Sequence, residues 1–345
     1  MTDPMQIKSG GQEDAMQETM CNDNHALARH EPRPVLYGVN LVADFNLEIA
    51  FKIYKLQLDA VWFEEEPMLL NAYRQCISKH KLMDTIVPIR IVDIGCGTGE
   101  MITRLIGENG LFQKMVDCTS HPFEIVAVEL DRSIYEFCKE RFEHLKQKTK
   151  IPLSIYNACA TKLPFESNTF DIVMNRHMLH CVPKDRISDL LSETYRILKP
   201  GGIAHFVAED MEMIHSSIDD VNKFKEEKQL WSDGICGTGD KVGVDLRIGR
   251  KLPAILPAHG FSVQSIKLGL IDTHHVDRQL LVDIFEIWRK LYAEIWIRNH
   301  VTYTYDKYFK NFIETTKDKE HYICWSLPMI QAMKIVTAEF STTEQ

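Results

Sequence analysis

The chain has 345 residues, with 40 Lys+Arg against 49 Asp+Glu and a formal net charge of −9 at pH 7. That length holds one large or two modest domains, and the acidic balance argues against a broad nucleic-acid surface, which draws its affinity from Lys and Arg on phosphates. The longest stretch free of Asp, Glu, Lys and Arg, Leu252 to Ile266, is 15 residues and is broken by Pro253, Pro257 and Gly260, so no membrane span is expected.

Residues 1–34 contain no aromatic residue and are rich in Gln, Asp, Glu, Asn and Met. Such a segment buries too little apolar surface to offset its ordering entropy, which predicts a disordered tail. Residues 35–88 are expected to form N-terminal helices. Leu47, Phe51, Tyr54 and Leu58 recur at helical spacing. The run Glu64-Glu65-Glu66 before Pro67 reads as a solvated first turn of a second helix, with proline at its first position.

A strand–helix alternation begins at Ile89. Strands are expected at 89–94, 123–129, 153–156, 170–174 and 203–208. Helices start at Glu100 and Arg132 and run over 187–198, the last closed by Lys199-Pro200-Gly201-Gly202. Residues 211–250 hold Gly234, Gly237, Gly239 and Gly243, too much glycine for a regular element. They are expected to form an irregular cap over the C-terminal edge of the sheet, where open α/β folds bind ligands. A helix at 251–259, a strand at 261–268, a helical insertion over 276–317 and a last strand at 322–334 complete the chain. Pro328 is placed at a bulge or edge of that strand. The fold predicted is α/β and Rossmann-like, a mostly parallel seven-stranded sheet with helices on both faces. An active-site cap and extra helices at both ends are added to it.

The sharpest local signal is Asp93-Ile94-Gly95-Cys96-Gly97-Thr98-Gly99-Glu100, an apolar strand entering a G-x-G-x-G turn that opens a helix. Glycine lets the backbone approach a ligand closely. An acid at the helix start opposes a pyrophosphate and tolerates a cationic amino group. The second strand ends at Glu129, where a carboxylate can accept both hydroxyls of a ribose.

These residues, together with Leu163-Pro164-Phe165, Phe170-Asp171-Ile172-Val173, Arg176-His177-Met178-Leu179-His180-Cys181-Val182 and Glu193 to Gly202, resemble the class I S-adenosylmethionine-dependent methyltransferases of the type 11 or UbiE-like group. The resemblance runs from about Ile89 to Leu268 and defines a methyltransferase domain over 89–345. It implies S-adenosyl-L-methionine as cofactor. Gly95, Cys96, Gly97 and Gly99 would lie against its methionine part, with Asp93 orienting the loop. Glu129 would hold the ribose and Leu130 the adenine, with Ala160 and Thr161 at the adenine edge. The backbone of Asn175 would approach the methionine amino group. One departure is Cys159, where the family often has an acid on the adenine amino group; a thiol is a weak acceptor.

Methyl transfer from a sulfonium needs alignment and exclusion of water more than a fixed triad, and no metal is expected. His177 and His180 follow the fourth strand, and Glu209 and Asp210 end the fifth. His180, Glu209 and Asp210 are the candidate catalytic groups, as base or acceptor contact. The [D/N]-P-P-aromatic and Pro-Cys signatures of DNA-base methylation are absent. The expected substrate is therefore a small molecule with an N, O or C nucleophile, and nucleic acid is not an expected partner. The alternatives are a protein or RNA methyltransferase, or a non-catalytic protein that binds the cofactor. Nine scattered cysteines without a C-x-x-C pair fit reduced thiols in a cytoplasmic chain. Oligomeric state stays open.

Overall fold

The computed structural model describes residues 47–82, 87–108, 110–112, 122–301 and 304–335. The expected tail over 1–34 lies outside the described residues. Helix α1 (Leu47–Leu82) is continuous through Pro67, so the two-helix expectation is corrected. Proline removes one i→i−4 hydrogen bond, here to the carbonyl of Phe63. Phe63 is 84% exposed, so the freed carbonyl lies on the face that water reaches.

Strand β1 (Ile89–Ile94), helix α2 (Glu100–Ile106), strand β2 (Phe123–Glu129), helix α3 (Arg132–Lys146), strand β3 (Leu153–Asn157) and strand β4 (Phe170–Arg176) follow in alternation. Helix α4 (Ile187–Ile197) buries Ile187, Leu190, Leu191 and Thr194, one face of a 3.6-residue period. Strand β5 (Leu198–Val207) begins at the last residue of the expected helix and takes in the whole of the expected turn. Its pairing with β4 is irregular between Phe170 and Ile172, while Gly201 takes a φ of 67°.

The segment expected to be irregular is largely regular. It holds strand β6 (Ile214–Ser216), helix α5 (Val221–Gln229), a π-helical turn (Leu230–Cys236) and helix α6 (Gly237–Lys241). Its glycines serve packing: a Cβ on Gly234 would stand 2.8 Å from Tyr305 Cγ, and one on Gly239 2.8 Å from Leu246 Cγ. Helix α7 (Ile248–Ile255), strand β7 (Phe261–Asp272), helix α8 (Arg278–Arg298), helix α9 (Thr304–Lys317) and strand β8 (Ile323–Lys334) complete the described chain.

The sheet has eight strands, not seven, because β6 is too short to carry a pattern. Strands β3, β2, β1, β4 and β5 are parallel, and β8 joins β5 antiparallel. Strand β7 pairs along β8 over residues 324–334. β5 and β6 therefore share the opposite edge of β8. Pro328 sits in the gap between them, its carbonyl accepting from Ala208 N at 3.0 Å. A residue's N and C=O point the same way in a strand, so the missing N–H faces the gap. The expected bulge or edge is thus an interior strand whose neighbour is interrupted.

One face of the sheet packs against α1, α2 and α3 through Leu58, Tyr73, Leu105 and Phe142, and the other against α4 and α7 through Leu190 and Leu252. A third apolar cluster joins α1, the 211–250 cap and helices α8 and α9 beyond the C-terminal ends of β4 and β5. That is the end of the sheet where the crevice was expected.

Candidate active site

Strand β1 delivers the chain into the glycine turn. Gly95, Gly97 and Gly99 take φ values of 74°, 55° and 79°, the left-handed region that strains a side chain. At Gly99 a Cβ would stand 2.6 Å from Phe142 Cε1, so packing of α3 also requires glycine there. At Gly97 it would stand 3.3 Å from Tyr54 Cε2. Tyr54, on α1, thus lays its ring over the loop.

Gly97 N donates to Glu129 Oε2 at 3.0 Å, and Asp131 N donates to Glu129 Oε1 at 3.0 Å. Burial raises the Glu129 pKa, against these backbone N–H groups, which lower it. Asn157 Nδ2 donates to the carbonyls of Glu129 and Leu130 at 2.8 and 2.9 Å and pins the turn that presents them. The glycine loop and the acid that ends β2 therefore form one hydrogen-bonded unit. Cys96 is buried in it, and Cys138 Sγ donates to Gly97 O at 2.7 Å.

Asp93 is 2% exposed, and burial raises its pKa to about 7, with Arg176 opposing and Glu65 and Glu129 reinforcing. Arg176, at the end of β4, makes a bidentate pair with Glu65 at 2.7 and 2.8 Å. His205 Nε2 meets the same carboxylate at 2.9 Å. Glu65 is fully buried, which corrects the solvated reading of the acidic run. Burial alone would raise its pKa, but Arg176 and His205 hold it down to about 2.

At the far end of the crevice, His177 Nδ1 lies 2.6 Å from Glu209 Oε1, and Gln57 Nε2 donates to the same oxygen at 3.2 Å. His177 has a φ of 50°, a strained position for an imidazole residue, held by its N–H on Val207 O at 2.8 Å. His180 is half-buried with its Nδ1 shielded from solvent, and desolvation lowers its pKa to about 4 despite Glu209, which keeps the ring neutral at pH 7. Burial, reinforced by Glu209 and Glu129, pushes the Cys181 thiol up to about 12. Tyr54 and Tyr292 are likewise held in the phenol form by burial. Cys181 feels both Glu129 and Glu209, and Tyr54 feels Cys181 and Glu129. Tyr54 lies over Gly97 and Gln57, three residues on in the same helix, meets Glu209, so α1 lines the crevice from the glycine loop to the His177–Glu209 pair.

The other expected site residues divide. Leu130 is exposed beside Glu129. Ala160 and Thr161 follow β3, with Thr161 Oγ1 3.2 Å from both Cys159 Sγ and Arg186 Nη2. The Asn175 side chain is buried, and neither amide atom has a partner among the described residues. Asp210 stands apart. It pairs with Arg250 through both carboxylate oxygens and accepts from Glu212 N at 3.2 Å. Its carboxylate serves the cap, not the crevice. Glu100 pairs with Arg141, so its charge is balanced and its argument against a pyrophosphate is weaker than the sequence suggested. Glu193 and Arg196 clasp the backbone of Leu163 and Phe165.

Sequence reasoning missed Tyr54, Gln57, Glu65 and Tyr292 as parts of the site. For Glu65 a signal existed: it continues the buried stripe Leu58, Val61, Met68, Leu69, Ala72 at spacings of three and four.

The fold and the joined loop–acid unit define a Rossmann-like α/β domain with a glycine turn and a buried acid at the C-terminal ends of its strands. Residues 92–206 match the family model described as a methyltransferase domain, so the chain carries such a domain. It is 32% identical over 116 residues to a demethylmenaquinone methyltransferase of Leptospira interrogans, covering 33% of this chain and 41% of that protein. It is 30% identical over 112 residues to a phthiotriol/phenolphthiotriol dimycocerosates methyltransferase of Mycobacterium tuberculosis, covering 32% and 37%. The match spans about two fifths of these relatives' length. Among solved structures, geranyl diphosphate C-methyltransferase of Streptomyces coelicolor aligns with a TM-score of 0.39 at 15% identity, covering 76% of this chain and 79% of that one. No described helix is long and apolar enough to cross a membrane.

Proposed function

We propose that the chain is an S-adenosyl-L-methionine-dependent methyltransferase acting on a small molecule by in-line methyl transfer. The observation that carries this reading is the tie between Gly97 N and Glu129 at 3.0 Å. It sets a close backbone approach and a ribose-binding carboxylate side by side. Each Glu129 oxygen accepts one N–H and keeps lone pairs for a hydroxyl. The unpartnered Asn175 amide offers further polar atoms to a ligand. The residues that would hold the cofactor are Asp93, Gly95, Cys96, Gly97, Gly99, Glu129, Leu130, Ala160, Thr161 and Asn175. When bound it supplies an activated methyl group.

Glu209 and His180 are kept as the catalytic candidates, Glu209 for its contacts with His177 and Gln57. Asp210 is kept for the cap. The chain's own task is to exclude water, through Tyr54 and the aromatic cluster beneath α8, and to present a nucleophile in line. Incubation of the protein with methyl-labelled cofactor and fractionated cell extract tests the reading. Label in low-mass products supports it. Label confined to protein or RNA, or no transfer at all, counts against it.

A further inference from the structure

Helix α3 presents Cys138, Arg141 and Phe142 to the glycine turn, residues i, i+3 and i+4 on one helical face. Each meets a different part of the turn. Cys138 Sγ donates to Gly97 O at 2.7 Å, and Arg141 Nη1 donates to Thr98 O at 2.6 Å. The Phe142 ring fills the space that a side chain at Gly99 would need. A peptide unit is planar and trans, so its N–H points opposite to its C=O. Drawing Thr98 O towards α3 turns the Gly99 N–H the other way, where it donates to Cys96 O at 3.0 Å. Drawing Gly97 O towards α3 turns the Thr98 N–H away from that helix in the same manner.

Arg141 reaches two further elements. Its Nη1 also pairs with Glu100, the first residue of α2. Its guanidinium carbon lies 5.2 Å from the centre of the Phe51 ring on α1. Phe51 stands three residues before Tyr54, whose ring covers Gly97. One guanidinium therefore joins the turn, the helix that leaves it and the helix that lies over it. Its donors and its flat face serve different partners at once, which the point charge of an ammonium cannot do equally well. The Arg141 and Glu100 side chains are 23% and 11% exposed, so the pair is shielded from water more than a surface ion pair.

We infer that Arg141 is a positioning residue for the cofactor site, fixing the Thr98 peptide and seating α1 on the turn against which the methionine part of S-adenosyl-L-methionine would lie; this rests on the methyltransferase reading above. Arg141 acts through Thr98 and Phe51, not by contact with the reacting groups. Its effect is preorganisation, because a turn already held in one conformation loses less entropy when the ligand binds.

The test measures binding of S-adenosylhomocysteine to the full chain by calorimetry, well below the melting temperature of each variant. Arg141→Gln, which keeps most of the stem, should weaken affinity about tenfold, as a charge-assisted hydrogen bond to the turn is lost. Arg141→Lys keeps a charge beside Glu100 and should recover only part, leaving a loss of about threefold. Methylthioadenosine, which lacks the amino-acid part, should bind both variants as it binds the wild type. Phe51→Leu should weaken S-adenosylhomocysteine binding about threefold in the wild type and by less in Arg141→Gln, where the stacking partner is already gone. Unchanged S-adenosylhomocysteine affinity in Arg141→Gln overturns the proposal. So does an equal loss for both ligands, which a general loosening of the fold gives, or an Arg141→Lys that matches the wild type. Should Arg141→Gln not fold, Arg141→Lys and Phe51→Leu carry the same comparison of the two ligands. Failure of the wild type to bind S-adenosylhomocysteine sinks the methyltransferase reading instead.

Discussion

Tyr54 shows how a single side chain joins the two halves of the crevice. Its ring closes over Gly97, and its hydroxyl shares the field of Glu129 and Cys181. Tyr54→Ala should open the loop to water and weaken cofactor affinity about tenfold with the fold intact, as lost ring burial alone is worth roughly 1–2 kcal/mol; calorimetry with S-adenosylhomocysteine reads it. Asp210 behaves differently. Its carboxylate is fully buried and paired with Arg250. Asp210→Ala should leave the turn at Glu212 uncapped while the half-exposed Arg250 keeps Glu212 as a partner, lowering stability by about 1–2 kcal/mol. Urea unfolding measures that loss; an unchanged midpoint would show that the pair contributes nothing. At this scale the sequence read well where a motif spans neighbouring residues. The glycine turn shows its close-packed backbone in the sequence itself, whereas its tie to Glu129, 32 residues on, comes from the fold. Glu209 and Asp210 are consecutive and equally acidic, and only packing separates the one that meets His177 from the one that meets Arg250.

Helix α1 is held to the sheet by polar contacts as well as apolar ones. Glu65 reaches Arg176 and His205, while Met68 O accepts from Gln331 of β8 at 2.9 Å. The pH dependence of this docking has a definite sign. The Glu65 pKa falls from 4.5 to about 2 in the folded chain. Its contribution is therefore present above about pH 4.5 and is lost as the pH falls towards 2. The shift corresponds to about 3 kcal/mol. Glu65→Gln should be destabilised by a comparable amount at pH 7, and the difference from wild type should shrink below pH 4; a difference independent of pH would rule out the charge as its source. The existence of α1 was legible from its period, but its continuity was not. Proline reads as a helix start when sequence is the only guide, and tolerance of Pro67 depends on Phe63 facing water. The acidic run was misread for a related reason. Three adjacent carboxylates suggest solvent, yet helical geometry turns the middle one inward.

For the whole molecule, β1 to β4 fall within two residues of their expected bounds, because each carries an apolar run bounded by turn residues, while β5 starts five residues early, at Leu198. The regular cap was not expected. Gly234, Gly239 and Gly249 are required by neighbours distant in sequence, with Gly249 close against the carbonyls of Ala208 and Glu209. Composition alone cannot distinguish a glycine that packs from one that bends. The cap, α8, α9 and α1 share one apolar cluster with Val207 at the end of β5, so segments distant in sequence meet beside the crevice. Its identity as a cofactor site is tested most directly by calorimetric titration of S-adenosylhomocysteine into the wild-type chain and into Gly97→Val. The branched side chain cannot take the left-handed backbone without strain and would meet Tyr54. We predict saturable one-to-one binding to the wild type and none to a folded Gly97→Val. No binding to the wild type, or equal affinity in both, would contradict the account.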